Sequence, residues 1–184
     1  MRRWIALLVS SGCAQIGGLD KTTAPADASG DSRVIDTAYF DAKPCSGGDA
    51  AMLDPTYGHC YVYYATPKDY LAARTTCTSM TGFHLARVET SNEQPLIASL
   101  VGATALAYIG GNDIAAEGTY VWDDGTLIQL TSWNTGEPNN GAAMFEEDCI
   151  VVNGPTGGHW DDRPCSPAIS ATVPGEYGYV CERD

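Results

Sequence analysis

Residues 131–165 read TSWNTGEPNNGAAMFEEDCIVVNGPTGGHWDDRPC. Up to Glu147 this stretch is polar, is broken by Gly136 and Pro138, and shows neither helical nor alternating apolar spacing. A long structureless loop inside a compact domain is either functional or held by something external, such as a metal. The short apolar run from Cys149 to Val152 then reads as a strand, and Asp161 and Asp162 follow Trp160 just before Cys165. A bridge between Cys149 and Cys165 would draw the acids before the first cysteine towards those before the second.

Four acidic clusters stand in this half of the chain: Asp113 with Glu117; Glu137, Pro138, Asn139 and Asn140; Glu146, Glu147 and Asp148; and Asp161 with Asp162. Ca2+ takes roughly six to eight hard oxygen donors of this kind. Any one such cluster alone is usually just solvated, and Trp122-Asp123-Asp124-Gly125 reads as a hairpin turn rather than a ligand set. The conjunction of the four with the cysteine and tryptophan spacing lifts them above that ordinary reading.

The chain has 184 residues and a formal charge of −13. That sign repels phosphate backbones, so nucleic acid is not expected as a partner, whereas bound cations are. Seven cysteines, none in a CxxC pair, point to extracytoplasmic disulfides. Residues 1–12, with Arg2, Arg3 and an apolar stretch ending in small residues before Cys13, read as a signal peptide. The pattern resembles a bacterial lipoprotein signal, which implies a lipid on Cys13 and anchoring at the cell envelope; simple secretion is the alternative. Membrane contact is expected only through that anchor. Residues 13–44 have the composition of a flexible tether. Residues 45–184 hold the remaining six cysteines and are long enough for a core of their own.

Within that part, residues 59–65 alternate as a strand. Thr66, Pro67 and Asp69 suggest a helix start, with Leu71, Arg74, Cys77 and Met80 at helical spacing and Gly82 as the stop. Residues 84–88 form a short strand, and Ser91 with Gln94 suggests a second cap before a helix carrying Leu96, Ile97, Leu100 and Val101. Short strands are expected at 107–110, 119–122, 149–152 and 177–181. His59 and His84 read as structural, and His159 has no nucleophile partner for a triad.

Residues 45–184 resemble a C-type lectin domain of the long form. The matching landmarks run in order: Cys45 and Cys60; Cys77; Tyr108-Ile109-Gly110-Gly111; Trp122 and Gly125; Trp133 before Gly136-Glu137-Pro138-Asn139; Glu147-Asp148-Cys149; Trp160-Asp161-Asp162 before Cys165; and Tyr179-Val180-Cys181-Glu182. The resemblance implies an α+β fold with two helices flanking short antiparallel sheets and a long calcium-binding loop. It implies the bridges Cys45 with Cys60, Cys77 with Cys181, and Cys149 with Cys165. It also implies a main calcium site at Glu137, Asn139, Glu147, Asp161 and Asp162, with Pro138 in a cis peptide. An auxiliary calcium site would fall on Asp113, Glu117, Asn140 and Asp148.

The function so implied is calcium-dependent carbohydrate binding at the cell surface, without enzymatic activity. Two adjacent sugar hydroxyls would complete the calcium shell while Glu137, Asn139, Glu147 and Asp161 exchange hydrogen bonds with them. The Glu-Pro-Asn order implies glycans of the mannose, glucose or N-acetylglucosamine type. The alternative partner is a surface protein, with calcium merely ordering the loop. Carboxylates neutralised by calcium are unavailable as proton donors, which counts against a glycosidase. Asp161 departs from the family, which usually has Asn there, and an ionised acid cannot donate a hydrogen bond to the sugar. Met144 and Phe145, beside the site, are candidates either for ligand contact or for covering the core.

Overall fold

The structure, a computed structural model, describes residues 44–143, 146–166 and 175–184. Residues 1–12, Cys13 and the rest of the expected tether up to residue 43, together with Met144 and Phe145, lie outside the described residues.

The chain runs β1 (Ala50–Leu53), β2 (Cys60–Lys68), α1 (Tyr70–Thr78), β3 (Phe83–Leu85), α2 (Glu93–Val101) and β4 (Leu106–Asn112). It continues through β5 (Cys149–Asn153), β6 (His159–Arg163) and β7 (Tyr177–Arg183). The strands form one sheet in the order β1-β2-β7-β4-β5-β6. β4 runs parallel to the start of β7, and β3 pairs antiparallel with its end. This is the α+β arrangement expected from the sequence, with two α-helices among the described residues.

Strand alternation builds two cores. Ala107, Ile109, Ile150, Val152 and Trp160 pack with Ile97, Leu100 and Val101 of α2. Tyr108, Cys149, Val151 and Tyr179 pack on the other side with Tyr70, Ala73 and Cys77 of α1. Fully burying a large apolar side chain contributes about 1.5–3 kcal/mol, so the wholly buried Ile97, Ile109 and Ile150 are a principal source of stability. Disulfides join Cys45 to Cys60, Cys77 to Cys181, and Cys149 to Cys165, the pairing the resemblance implies.

Several local expectations shift. The cap of α1 is Asp69, whose carboxylate accepts from the Ala72 N–H; Thr66 and Pro67 instead extend β2 across a bulge opposite β7. Asp69 lies three residues before Ala72, the spacing a capping oxygen needs. The buried face of α1 is therefore Tyr70, Ala73 and Cys77, and Leu71 and Arg74 face solvent. At α2 neither Ser91 nor Asn92 caps; Glu93 folds back to accept from the Glu89 and Thr90 N–H groups. Residues 119–122 hold only a one-residue bridge, Val121 between Asn112 and Leu127. Trp122 to Gly125 is the expected tight turn, with Gly125 at φ +89°. Its Asp123 and Asp124 pair with Arg87.

Candidate metal centre

β6 supplies the base of the candidate site. It lies antiparallel to β5 at the edge of the sheet, with Asp161 opposite Val151 and Asp162 opposite Ile150, and both acids are almost wholly buried. The polar loop is stitched to this strand by its backbone: the Trp160 N–H donates to Ser132 O, and the Asn134 N–H donates to Trp160 O. Trp133 stands edge-on to Trp160, 5.7 Å between centroids, and fixes the loop's approach.

Beyond that anchor the Glu137–Pro138 peptide is cis. Asp162 accepts from the Asn139 N–H at 3.1 Å and the Asn140 N–H at 2.7 Å, which pulls the loop tip onto β6. Asn140 sits at φ +46°, a backbone region that Asn tolerates better than most residues. Its Oδ1 accepts from the Glu147 N–H at 2.7 Å, tying the two ends of the loop together. The Asn139 side-chain amide donates to Glu137.

The outcome is that one oxygen from each of Glu137, Asp161 and Asp162 lies within 4.8 Å of the others. Burial first, and then the charges of Asp161 and Asp162, push the Glu137 carboxyl above the usual carboxylate range. Asp161 Oδ1 is buried and has no hydrogen-bond partner among the described residues. Three hard oxygens, crowded like charges and an orphaned buried acceptor fit a divalent cation such as Ca2+.

Glu147 stands apart from that trio. Its Oε2 accepts from the Gly141 N–H at 2.7 Å, and its Oε1 lies 3.7 Å from Arg163 Nη1. Burial raises its carboxyl, and Arg163 opposes the rise. Arg163 also donates from Nη2 to Asp161 Oδ2 at 2.7 Å, and Asn153 Nδ2 donates to the same oxygen at 2.9 Å. Neither Arg163 nor Asn153 is identified by the sequence reading. Arg163 is two residues from Asp161, hence on the same face of a strand, but 159–163 carries no apolar alternation that would announce a strand.

A second group forms where β4 ends. Oxygens of Asp113, Glu117 and Asp148 lie within 4.8 Å of one another, and the Asp113 N–H donates to Asp148 O at 3.0 Å. Asp113 Oδ2 accepts from the Gly118 N–H, and its buried Oδ1 has no hydrogen-bond partner among the described residues. Burial, reinforced by Glu117 and Asp148, pushes the Asp113 carboxyl up to about 6. Asn140, assigned to this group from the sequence, is engaged through Nδ2 with Glu146 and through Oδ1 with Glu147.

A third group escapes sequence reading. His59 Nδ1 lies 2.9 Å from Glu182 Oε1 and 3.6 Å from Glu93 Oε1, joining residues from three distant segments.

Residues 66–173 match the family model for the lectin C-type domain, more than half of the chain. The chain belongs to the C-type lectin domain family. Over 135 residues it is 32% identical to the alpha-N-acetylgalactosamine-specific lectin of Patiria pectinifera, covering 68% of this chain and 74% of that one. Over 124 residues it is 32% identical to the low affinity immunoglobulin epsilon Fc receptor of Mus musculus, covering 67% of this chain but only 34% of the receptor. The C-type lectin fold recurs in the human scavenger receptor C-type lectin carbohydrate-recognition domain, with TM-score 0.63, 23% identity, and 76% of this chain and 99% of that one covered.

Proposed function

We infer that this C-type lectin domain is a calcium-dependent carbohydrate-binding module acting outside the cytoplasm, and not an enzyme. The observation that carries the reading is the convergence of Glu137, Asp161 and Asp162, together with an Asp161 Oδ1 that is buried and without a hydrogen-bond partner among the described residues. Glu137, Asn139, Glu147, Asp161 and Asp162 would hold the ion, and Asp113, Glu117, Asn140 and Asp148 a second one. Bound calcium would supply coordination positions for two adjacent sugar hydroxyls. Around it the carboxylates accept hydrogen bonds from the sugar, and the Asn139 amide, now turned onto Glu137, donates.

The Glu-Pro-Asn order favours mannose, glucose or N-acetylglucosamine-type glycans. The Patiria pectinifera relative is named for N-acetylgalactosamine, so both sugar classes belong on a glycan array probed with and without chelator. Calcium-dependent signal on mannose-type glycans is expected; chelator-insensitive signal, or none, overturns the reading. Three disulfides suit an oxidising compartment. On this reading residues 1–12 direct export, residues 13–44 form a tether, and a lipid on Cys13 holds the module at a bacterial cell envelope.

One observation favours a second reading, a protein-binding module with purely structural calcium. Asp161 stands where a hydrogen-bond donor to the sugar is expected. Calcium-dependent capture of a surface protein, together with a blank glycan array, would select it.

A further inference from the structure

An amide beside the bound ion offers an oxygen to the metal and an N–H to a sugar hydroxyl. In this chain those two offers come from two residues. Asp161 presents Oδ1, buried and unpaired among the described residues, while its Oδ2 is taken by Asn153 Nδ2 at 2.9 Å and Arg163 Nη2 at 2.7 Å. Asp161 and Arg163 are two apart on β6 and project from the same face. The guanidinium's other end, Nη1, stands 3.7 Å from Glu147 Oε1, beyond hydrogen-bonding distance, so it keeps its capacity to donate. The Arg163 side chain is 31% exposed, whereas that of Asp161 is 4% exposed, so the pair offers its donor outward and its acceptor inward.

We propose that Asp161 and Arg163 act together as one neutral amide equivalent, with Arg163 as the residue that donates to the sugar and sets specificity. The inference rests on the calcium-dependent sugar-binding reading of the same site. Its electrostatic consequence is independent of any sugar. With the pair neutral, Glu137, Glu147 and Asp162 leave three net negative charges at the site instead of four. Removing the guanidinium therefore restores the fourth net negative charge beside the ion, which strengthens calcium binding while removing the sugar's donor.

The test compares the full chain with Arg163→Ala, Arg163→Lys and the double variant Asp161→Asn/Arg163→Ala, by calcium titration calorimetry and by retention on immobilised mannose. Arg163→Ala is expected to bind calcium on the order of tenfold more tightly and to lose mannose retention. Arg163→Lys keeps a charged donor and stays near the parent in both measurements. The double variant, with a true amide, returns calcium affinity to the parent level and regains mannose. Unchanged or weaker calcium binding by Arg163→Ala, or no mannose recovery by the calcium-loaded double variant, overturns the proposal. If the parent chain is never retained on mannose, the sugar reading fails by itself. The calcium arm then decides: tightening in Arg163→Ala that the double variant reverses upholds the neutral pair, and no tightening overturns it.

Discussion

The indole N–H of Trp160 donates to the side-chain oxygen of Gln94 at 2.7 Å, joining α2 to the strand that carries Asp161 and Asp162. Gln94 also donates from Nε2 to Gly158 O, so a single amide holds the turn before β6 and the tryptophan within it. Trp160 is wholly buried, and Gln94 is the partner of its N–H. Gln94→Ala should cost about 1–3 kcal/mol, the penalty of an unpaired buried donor. Gln94→Glu, which keeps the acceptor, should recover much of that in thermal melts. Equal losses in both variants would show that the bond to Trp160 contributes nothing.

Calcium should raise the melting temperature. At a hundredfold excess over its dissociation constant, one ion adds about 2.7 kcal/mol. Glu137→Gln should remove the contribution of the main group and Asp148→Asn that of the group around Asp113, so melts of the two variants apportion the shift. A shift of parent size in both variants would place the ions elsewhere.

Breaking the Cys149–Cys165 bridge should act on stability and on the site together. The bridge closes a short loop, sequence separation 16, and fixes β5 against the segment that follows β6. The paired change Cys149→Ala/Cys165→Ala should cost about 3 kcal/mol and weaken calcium binding. Calorimetry of the variant that shows full calcium affinity would mean that the β5–β6 pairing alone holds the acids in place.

Acid should stabilise the calcium-free protein through Asp113. Its carboxyl is raised from 3.8 to about 6, chiefly by burial. A raised folded-state value means that the contribution is complete below the unfolded value and is lost as pH climbs through about 6. The calcium-free chain should therefore lose about 1–3 kcal/mol between pH 5 and pH 7.5 from this group. Asp113→Asn should flatten that part of the profile in chelator; an unchanged profile would assign the pH dependence to other residues.

What could be read from the sequence was whatever is local along it. The run 149–152 and the run 177–181 announce β5 and β7 by composition, and the turn at Gly125 by its residue types. Acids next to prolines, tryptophans and cysteines mark the loop that reaches Asp162. What could not be read depends on register. Arg163 meets Asp161 because 159–163 is a strand, although its residues alternate no apolar pattern, and Asn153 reaches the same carboxylate only through the β5–β6 pairing. His59, Glu93 and Glu182 come together through the packing of α2 against β2 and the pairing of β2 with β7, which no spacing within one segment encodes. Thr66-Pro67 and Asp69 are both plausible starts for α1, and the pairing of β2 with β7 selects the later one.

The sheet order has a practical outcome for how the domain can be handled. β1, the first strand after Cys45, borders one margin of the sheet, and β6 borders the opposite margin, five interstrand steps away, or about 24 Å. A bead, fluorophore or fusion partner joined ahead of Cys45 is thus attached at the margin remote from Asp161 and Asp162. Sensor chips loaded through that end should leave the β6 margin accessible to dissolved glycans.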